Sequence, residues 1–261
     1  MKKVLIIILS FILIIGIGCF FFLKDKGNIP SNEGEISSKD NGNKIKEEEK
    51  TTKDKTAIFF GDSITQGWLT NGYSYANYIN DNYDLKSVTN AGIADYRVST
   101  YDDPKKWLVD EVKSYIGNSY DYIILQGGIN DVLYLTPLGD VYSSQDNASY
   151  DINTFAGGLE TYLSTVKANW PDVKIGYIIT YYTPKYSERG ITWSYQDYLK
   201  YVNLTKKILD KWDIPYLDLF DSKFTELLDV ENRTYLPDYL HLNKEGYELV
   251  SPYIYKWMRG L

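Results

Sequence analysis

Ala57-Ile58-Phe59-Phe60-Gly61-Asp62-Ser63-Ile64-Thr65 joins a short apolar run to a Gly-Asp-Ser turn. Apolar residues at consecutive rather than alternate positions describe a strand covered on both faces, as in a parallel sheet. Four more runs of strand length share that character: Leu85 to Thr89, Tyr120 to Leu125, Lys174 to Thr180 and Ile214 to Leu217. Between them the sequence predicts helices at Tyr73 to Asn82, Pro104 to Tyr115 with Asp103 as its cap, Thr154 to Trp170 and Ser194 to Trp212. Lys244 to Arg259 is the closing helix. Strands alternating with helices predict a three-layer doubly wound α/β domain with a parallel sheet. Ligands of such sheets bind where loops leave the carboxyl ends of the strands. There the sequence places Gly61-Asp62-Ser63, Asn90-Ala91-Gly92, Gly128-Ile129-Asn130-Asp131 and Tyr181-Tyr182.

The rest of the chain is of a different kind. Val4 to Leu23 is an uncharged apolar run between Lys2-Lys3 and Lys24. At about 1.5 Å per residue it is long enough to cross the hydrocarbon core, which predicts an N-terminal membrane anchor over residues 1–23. Two alternatives read the Gly16-Ile17-Gly18-Cys19 stretch as a lipoprotein box or as a signal-peptidase site. All three put the following chain outside the cytoplasmic membrane. Residues 24–55 contain no aromatic residue and balance eight Lys against eight acidic residues. Such a segment cannot bury enough apolar surface to offset its ordering entropy, so a disordered polar tether is expected. The whole chain carries −7; without the +2 of Lys2 and Lys3, and with a neutral tether, residues 56–261 carry −9. That sign disfavours nucleic acid and anionic headgroups as partners. The single Cys lies in the apolar run and the chain has one His, so neither a disulfide framework nor a zinc site is expected in the domain.

Acyl-transfer chemistry needs a hydroxyl nucleophile, a base titrating near neutrality and a carboxylate to orient that base. With one histidine in the chain, the base can only be His241, three residues after Asp238. Ser63 at a strand end would present its hydroxyl and its own N–H to the mouth of the sheet. Gly92 N–H and the Asn130 side-chain amide would complete an oxyanion hole.

Gly61-Asp62-Ser63, Gly92, Gly128-Ile129-Asn130-Asp131 and Asp238-Tyr239-Leu240-His241 resemble, in order, the four sequence blocks of the SGNH (GDSL-type) hydrolases. The resemblance covers essentially residues 56–261. It departs in the second block, where Ile93-Ala94-Asp95 follows Gly92 without a second glycine. The resemblance implies a flavodoxin-like fold and an esterase, lipase, thioesterase or carbohydrate deacetylase activity. It implies Ser63 as nucleophile, His241 as base, Asp238 as its orienting acid, and Gly92 and Asn130 as oxyanion donors, with no cofactor and no metal.

The expected protein is therefore a membrane-tethered, extracytoplasmic serine ester hydrolase acting on a short acyl ester, such as an O-acetyl group of a polysaccharide. One rival is a lipase or lysophospholipase beside the membrane. The other is a catalytically silent carbohydrate-binding module on a tether. Trp68, Tyr96, Tyr101, Tyr134, Tyr142, Tyr181, Tyr182 and Trp193 fall in loops or near strand ends and would suit sugar rings, although ordinary packing also accounts for aromatic residues there. Leu133 to Tyr150 reads as a loop insertion of the kind that carries specificity.

Overall fold

A computed structural model describes residues 51–145, 149–183, 194–230 and 232–261. The expected anchor, most of the expected tether and Trp193 lie outside the described residues. Five parallel strands, β1 (Thr56–Gly61), β2 (Ser87–Gly92), β3 (Tyr122–Gln126), β4 (Lys174–Ile179) and β5 (Tyr216–Asp218), form one sheet in the order β2-β1-β3-β4-β5. The helices are α1 (Ser63–Gln66), α2 (Tyr75–Asn82), α3 (Leu108–Ser114), α4 (Ile129–Leu133), α5 (Phe155–Asn169), α6 (Tyr195–Lys211), α7 (Ser222–Leu227) and α8 (Lys244–Arg259). This is the expected doubly wound architecture, in flavodoxin-like strand order.

β1 is an interior strand, between β2 and β3, and shows why the apolar run is continuous. Phe59 meets Tyr75 of α2 on one face, at 5.6 Å between ring centroids, and Phe60 meets Tyr115, just after α3, on the other, at 5.4 Å. Both phenylalanines are buried, each contributing about 2 to 3 kcal/mol of apolar burial. Tyr75 also packs edge-on to Tyr247 of α8, which joins α2 and α8 into one covering layer.

The chain crosses from β1 to β2 on one side, then returns past β1 to β3. The strand order therefore reverses between β1 and β3, and their loops splay apart at the carboxyl edge. That is the place where doubly wound sheets hold ligands.

Several boundaries differ from the sequence expectation. α3 begins at Leu108, not Pro104, and Asp103 does not cap it. Arg97 N–H donates to Lys106 O and Leu108 N–H donates to Arg97 O, so the 106–107 backbone is committed to a bridge and cannot coil. Asp103 instead accepts from Lys105 N–H in a local turn. β2 starts later than Leu85 and runs through Asn90 to Gly92, because those residues pair with Phe59 to Gly61 of β1. α2 starts at Tyr75, where Ser74 and Asn77 form a reciprocal cap. At the start of the domain, Thr52, read as the end of the tether, is buried, and its hydroxyl lies 2.8 Å from that of Tyr255.

The segment read as a specificity loop runs away from the carboxyl edge of the sheet. Lys211, at the far end of α6, donates to the carbonyls of Tyr142 and Ser144 and pairs with the buried Glu160 of α5 at 2.5 Å. Gln145 returns a bond to Lys211 O. These contacts strap the segment along α5 and α6. Among the described residues no helix is long and apolar enough to cross a membrane.

Candidate active site

Ser63 is the first residue of α1, directly beyond β1. Asp62 sets the turn that presents it: its Oδ1 accepts from Ile64 N–H at 2.9 Å, capping the helix, and its Oδ2 accepts from Gln126 Nε2 at 2.9 Å. Asp62 N–H donates back to Gln126 Oε1 at 3.1 Å, and Thr65 Oγ1 donates to the same oxygen at 2.8 Å. Tyr247 of α8 donates its hydroxyl to Ile64 O at 2.7 Å. The turn is thus tied to β3 and to α8 as well as to its own helix. Ser63 N–H occupies one of the positions that a helix start leaves without an intrahelical acceptor.

His241 and Asp238 share the loop that leads into α8. Asp238 Oδ1 accepts from the backbone N–H groups of Leu240, at 3.0 Å, and His241, at 2.7 Å. The left-handed Tyr239, at φ 66°, closes this turn. Asp238 Oδ2 lies 2.6 Å from His241 Nδ1, and His241 Nε2 lies 2.8 Å from Ser63 Oγ. Tyr181, after β4, donates its hydroxyl to Leu240 O at 2.7 Å and fixes the loop from below. Burial opposes ionisation of the Asp238 carboxyl, but the hydrogen bonds from the His241 ring and backbone outweigh it, holding its pKa below the ordinary carboxylate value.

Gly92 and Asn130 flank this line. Gly92 is the last residue of β2, and its N–H donates to Asn90 Oδ1 at 3.0 Å. The space a Cβ would need there is filled: it would stand 2.2 Å from Gln66 N and 2.6 Å from Thr65 C. The glycine therefore serves the close approach of β2 to α1. Asn130 sits in α4, one residue into the helix that Gly128 starts at φ 96°. One N–H of its amide donates to Tyr96 O at 2.8 Å, which leaves the second N–H of the same group. Asp131 is buried and fixes the 98–99 backbone against α4, accepting from Val98 N–H, Ser99 N–H and Ser99 Oγ at 3.0, 3.2 and 2.6 Å.

Gln126 and Asp131 emerge as supporting residues that sequence reasoning passed over or left without a part, and Tyr181, expected as a platform for sugar rings, instead supports the His241 loop. The available signal for Gln126 was an amide ending the otherwise apolar β3 run. Of the expected aromatic platform, Tyr181 is buried beneath the loop, Tyr134 and Tyr142 are engaged elsewhere, and Trp68 is 58% exposed five residues after Ser63. Among the described residues no group of three His, Cys, Asp or Glu side chains is placed to hold a metal ion.

Burial pushes the carboxyls of Asp62 and Asp131 up from 3.8 to about 6, against the hydrogen bonds they accept. A carboxyl whose pKa is higher folded than unfolded adds stability that is full below the unfolded value and is lost as pH rises through the folded one. Acidifying from pH 7.5 to 5 should therefore raise Tm by a few °C, before loss of the Asp238 bonds below about pH 4 reverses the trend. A Tm that falls steadily across that interval, followed by circular dichroism, would refute the assignment.

The chain matches the family model described as GDSL-like Lipase/Acylhydrolase over residues 59–249. No curated protein matches it. Among solved structures it is similar to a protein from Lactobacillus plantarum, with 22% identity and a TM-score of 0.65, over 80% of this chain and 98% of that one. It is also similar to an inhibitor-bound aryl esterase from M. smegmatis, with 15% identity and a TM-score of 0.59, over 80% and 100%. A third similarity, to an acetyl xylan esterase, has 21% identity and a TM-score of 0.52, over 77% and 98%. At these identities the likeness is one of fold.

Proposed function

The chain belongs to the GDSL-like lipase/acylhydrolase family, and we propose that this ester-bond hydrolase works as a serine enzyme on short acyl esters, with Ser63, His241 and Asp238 as its triad. The observation that carries the reading is the unbroken line from Asp238 Oδ2 through the His241 ring to Ser63 Oγ, with gaps of 2.6 and 2.8 Å. With the proton on Nδ1 held by Asp238, Nε2 accepts the Ser63 proton as Oγ attacks the ester carbonyl. The oxyanion is received by Ser63 N–H and the second N–H of Asn130. Gly92 N–H joins them only by sharing its bond to Asn90. His241 then protonates the departing alcohol, and water hydrolyses the acyl-enzyme with the roles reversed.

The short acyl group is proposed from the likeness to an acetyl xylan esterase. A polysaccharide alcohol is favoured by the exposed ring of Trp68 and by Tyr195, which is 45% exposed and stacked on Phe220. Turnover of p-nitrophenyl acetate should exceed that of the octanoate by at least about tenfold in kcat/KM. Preference for the longer ester would point to a lipase instead, and turnover of neither to a binding module.

We place this domain outside the cytoplasmic membrane, held by residues 1–23, because Val4 to Leu23 carries no charge over a bilayer's length. The protein should stay with membranes through a high-salt wash and keep Met1. A lipidated Cys19 at the N-terminus, found by mass spectrometry, would replace the spanning anchor by a lipid one.

A further inference from the structure

Asp95 stands where the second block departs from the family pattern, three residues beyond Gly92. Its backbone is left-handed, at φ 68°, a conformation for which glycine is the default and Asp among the few tolerated alternatives. The side chain that a glycine would lack is fully employed. Asp95 Oδ1 accepts from the Tyr134 hydroxyl at 2.9 Å, and Oδ2 pairs with Lys106 Nζ. Tyr134 directly follows α4, and the Arg97 guanidinium lies over its ring at 4.3 Å. Lys106 is on the returning limb of the same loop, where its carbonyl accepts from Arg97 N–H at 2.9 Å. One carboxylate thus clasps three pieces of chain together: the limb leaving β2, the limb returning to α3, and the end of α4.

What this clasp holds is the neighbour of the reacting centre. The residue after Asp95 is Tyr96, whose carbonyl accepts one N–H of the Asn130 amide at 2.8 Å. Asn130 belongs to α4, so the clasp fixes both the acceptor and the helix that carries the donor. We infer that Asp95 is a positioning residue for ester hydrolysis: its bonds to Tyr134 and Lys106 orient the Asn130 amide so that the remaining N–H meets the oxyanion. The inference rests on the serine-esterase reading of the site.

The test compares Asp95→Gly, Asp95→Asn and Tyr134→Phe with the wild-type chain. Glycine keeps the backbone conformation and removes the clasp. Asp95→Gly should lower kcat for p-nitrophenyl acetate roughly tenfold with KM changed by less than about twofold, and slow labelling of Ser63 by a phosphonate by a similar factor. Asparagine tolerates the same backbone and retains an oxygen for the Tyr134 hydroxyl, so it should restore kcat to within about threefold of wild type. Tyr134→Phe keeps the ring under Arg97 and loses only the hydroxyl. It should fall between the two, and the double variant Asp95→Gly with Tyr134→Phe should be no worse than Asp95→Gly alone.

A kcat for Asp95→Gly within about twofold of wild type, with or without a lowered Tm, would reduce the clasp to a loop brace and overturn the inference. Should that variant fail to fold, Tyr134→Phe decides by the same criterion. Ser63→Ala separates the two readings: turnover by Ser63→Ala would remove the serine mechanism itself. An inactive Ser63→Ala beside an unimpaired Asp95→Gly would remove only the role of Asp95.

Discussion

Ser63→Ala should lower kcat for p-nitrophenyl acetate by roughly five to six orders of magnitude while leaving Tm within about 2 °C of wild type. The hydroxyl makes one hydrogen bond, to His241 Nε2, and the turn that carries it is held by other groups, namely the Asp62 and Gln126 exchange and Tyr247 on Ile64 O. His241→Ala should cost as much, because the chain has no second histidine to take the proton. Asp238→Ala should leave clearly more activity, since orienting a base contributes less than being one. It should also lower Tm by several °C, because its carboxylate holds the backbone N–H groups of Leu240 and His241 as well as the ring. The triple variant should be no slower than Ser63→Ala. Losses that add across the three would show that they do not act as a unit and would reopen the choice of acid and base.

Gly92→Ala should be the most damaging single change among the supporting residues. A methyl group there would lie 2.2 Å from Gln66 N and 2.7 Å from Gln66 Cα, and these are backbone atoms that no rotamer change can move. β2 and α1 must separate, and α1 begins at Ser63. Overpacking of this kind costs about 3 kcal/mol, and at about 2 to 4 °C per kcal/mol for a domain of this size Tm should fall by roughly 6 to 12 °C. A displacement of Ser63 by about 1 Å should cost on the order of a hundredfold in kcat. Gly260→Ala, whose new methyl would meet nothing nearer than 3.1 Å, is the control. A normal Tm with reduced kcat would mean that Gly92 acts on the oxyanion alone and that the close approach of β2 to α1 is not a constraint.

The sequence by itself determined the layer architecture and named the line of catalytic candidates. Consecutive apolar residues in β1 and β3 report burial on both faces, and that is a property of the residues themselves. One histidine in the chain left a single candidate base, and Gly-Asp-Ser at a strand end left a prominent candidate nucleophile. Helix starts were legible at Thr154, Ser194 and Lys244, where the side chains of Thr154, Ser194 and Asn243 cap α5, α6 and α8 from within the same few residues.

What the tertiary structure decided are the pairings between residues far apart in the chain. Pro104 has every local feature of a helix start. α3 nevertheless waits until Leu108, because Arg97 claims the backbone on either side of Trp107. The space beside Gly92 is filled by α1, which only the crossover from β1 to β2 brings there. Gln126 bridges Asp62, Thr65 and Thr180 across neighbouring strand ends. No spacing rule selects it, because the choice depends on β3 lying next to β1. The 134–145 segment has the composition of a loop, and composition cannot say which way a loop turns. A buried Glu160 paired with Lys211 draws residues 142–145 down along α5 and α6, while Tyr134 at the segment's start stays bonded to Asp95. Periodicity and backbone preference act within a few residues, whereas sheet order brings Ser63 and His241 together across 178 positions, and with them the network that fixes their geometry.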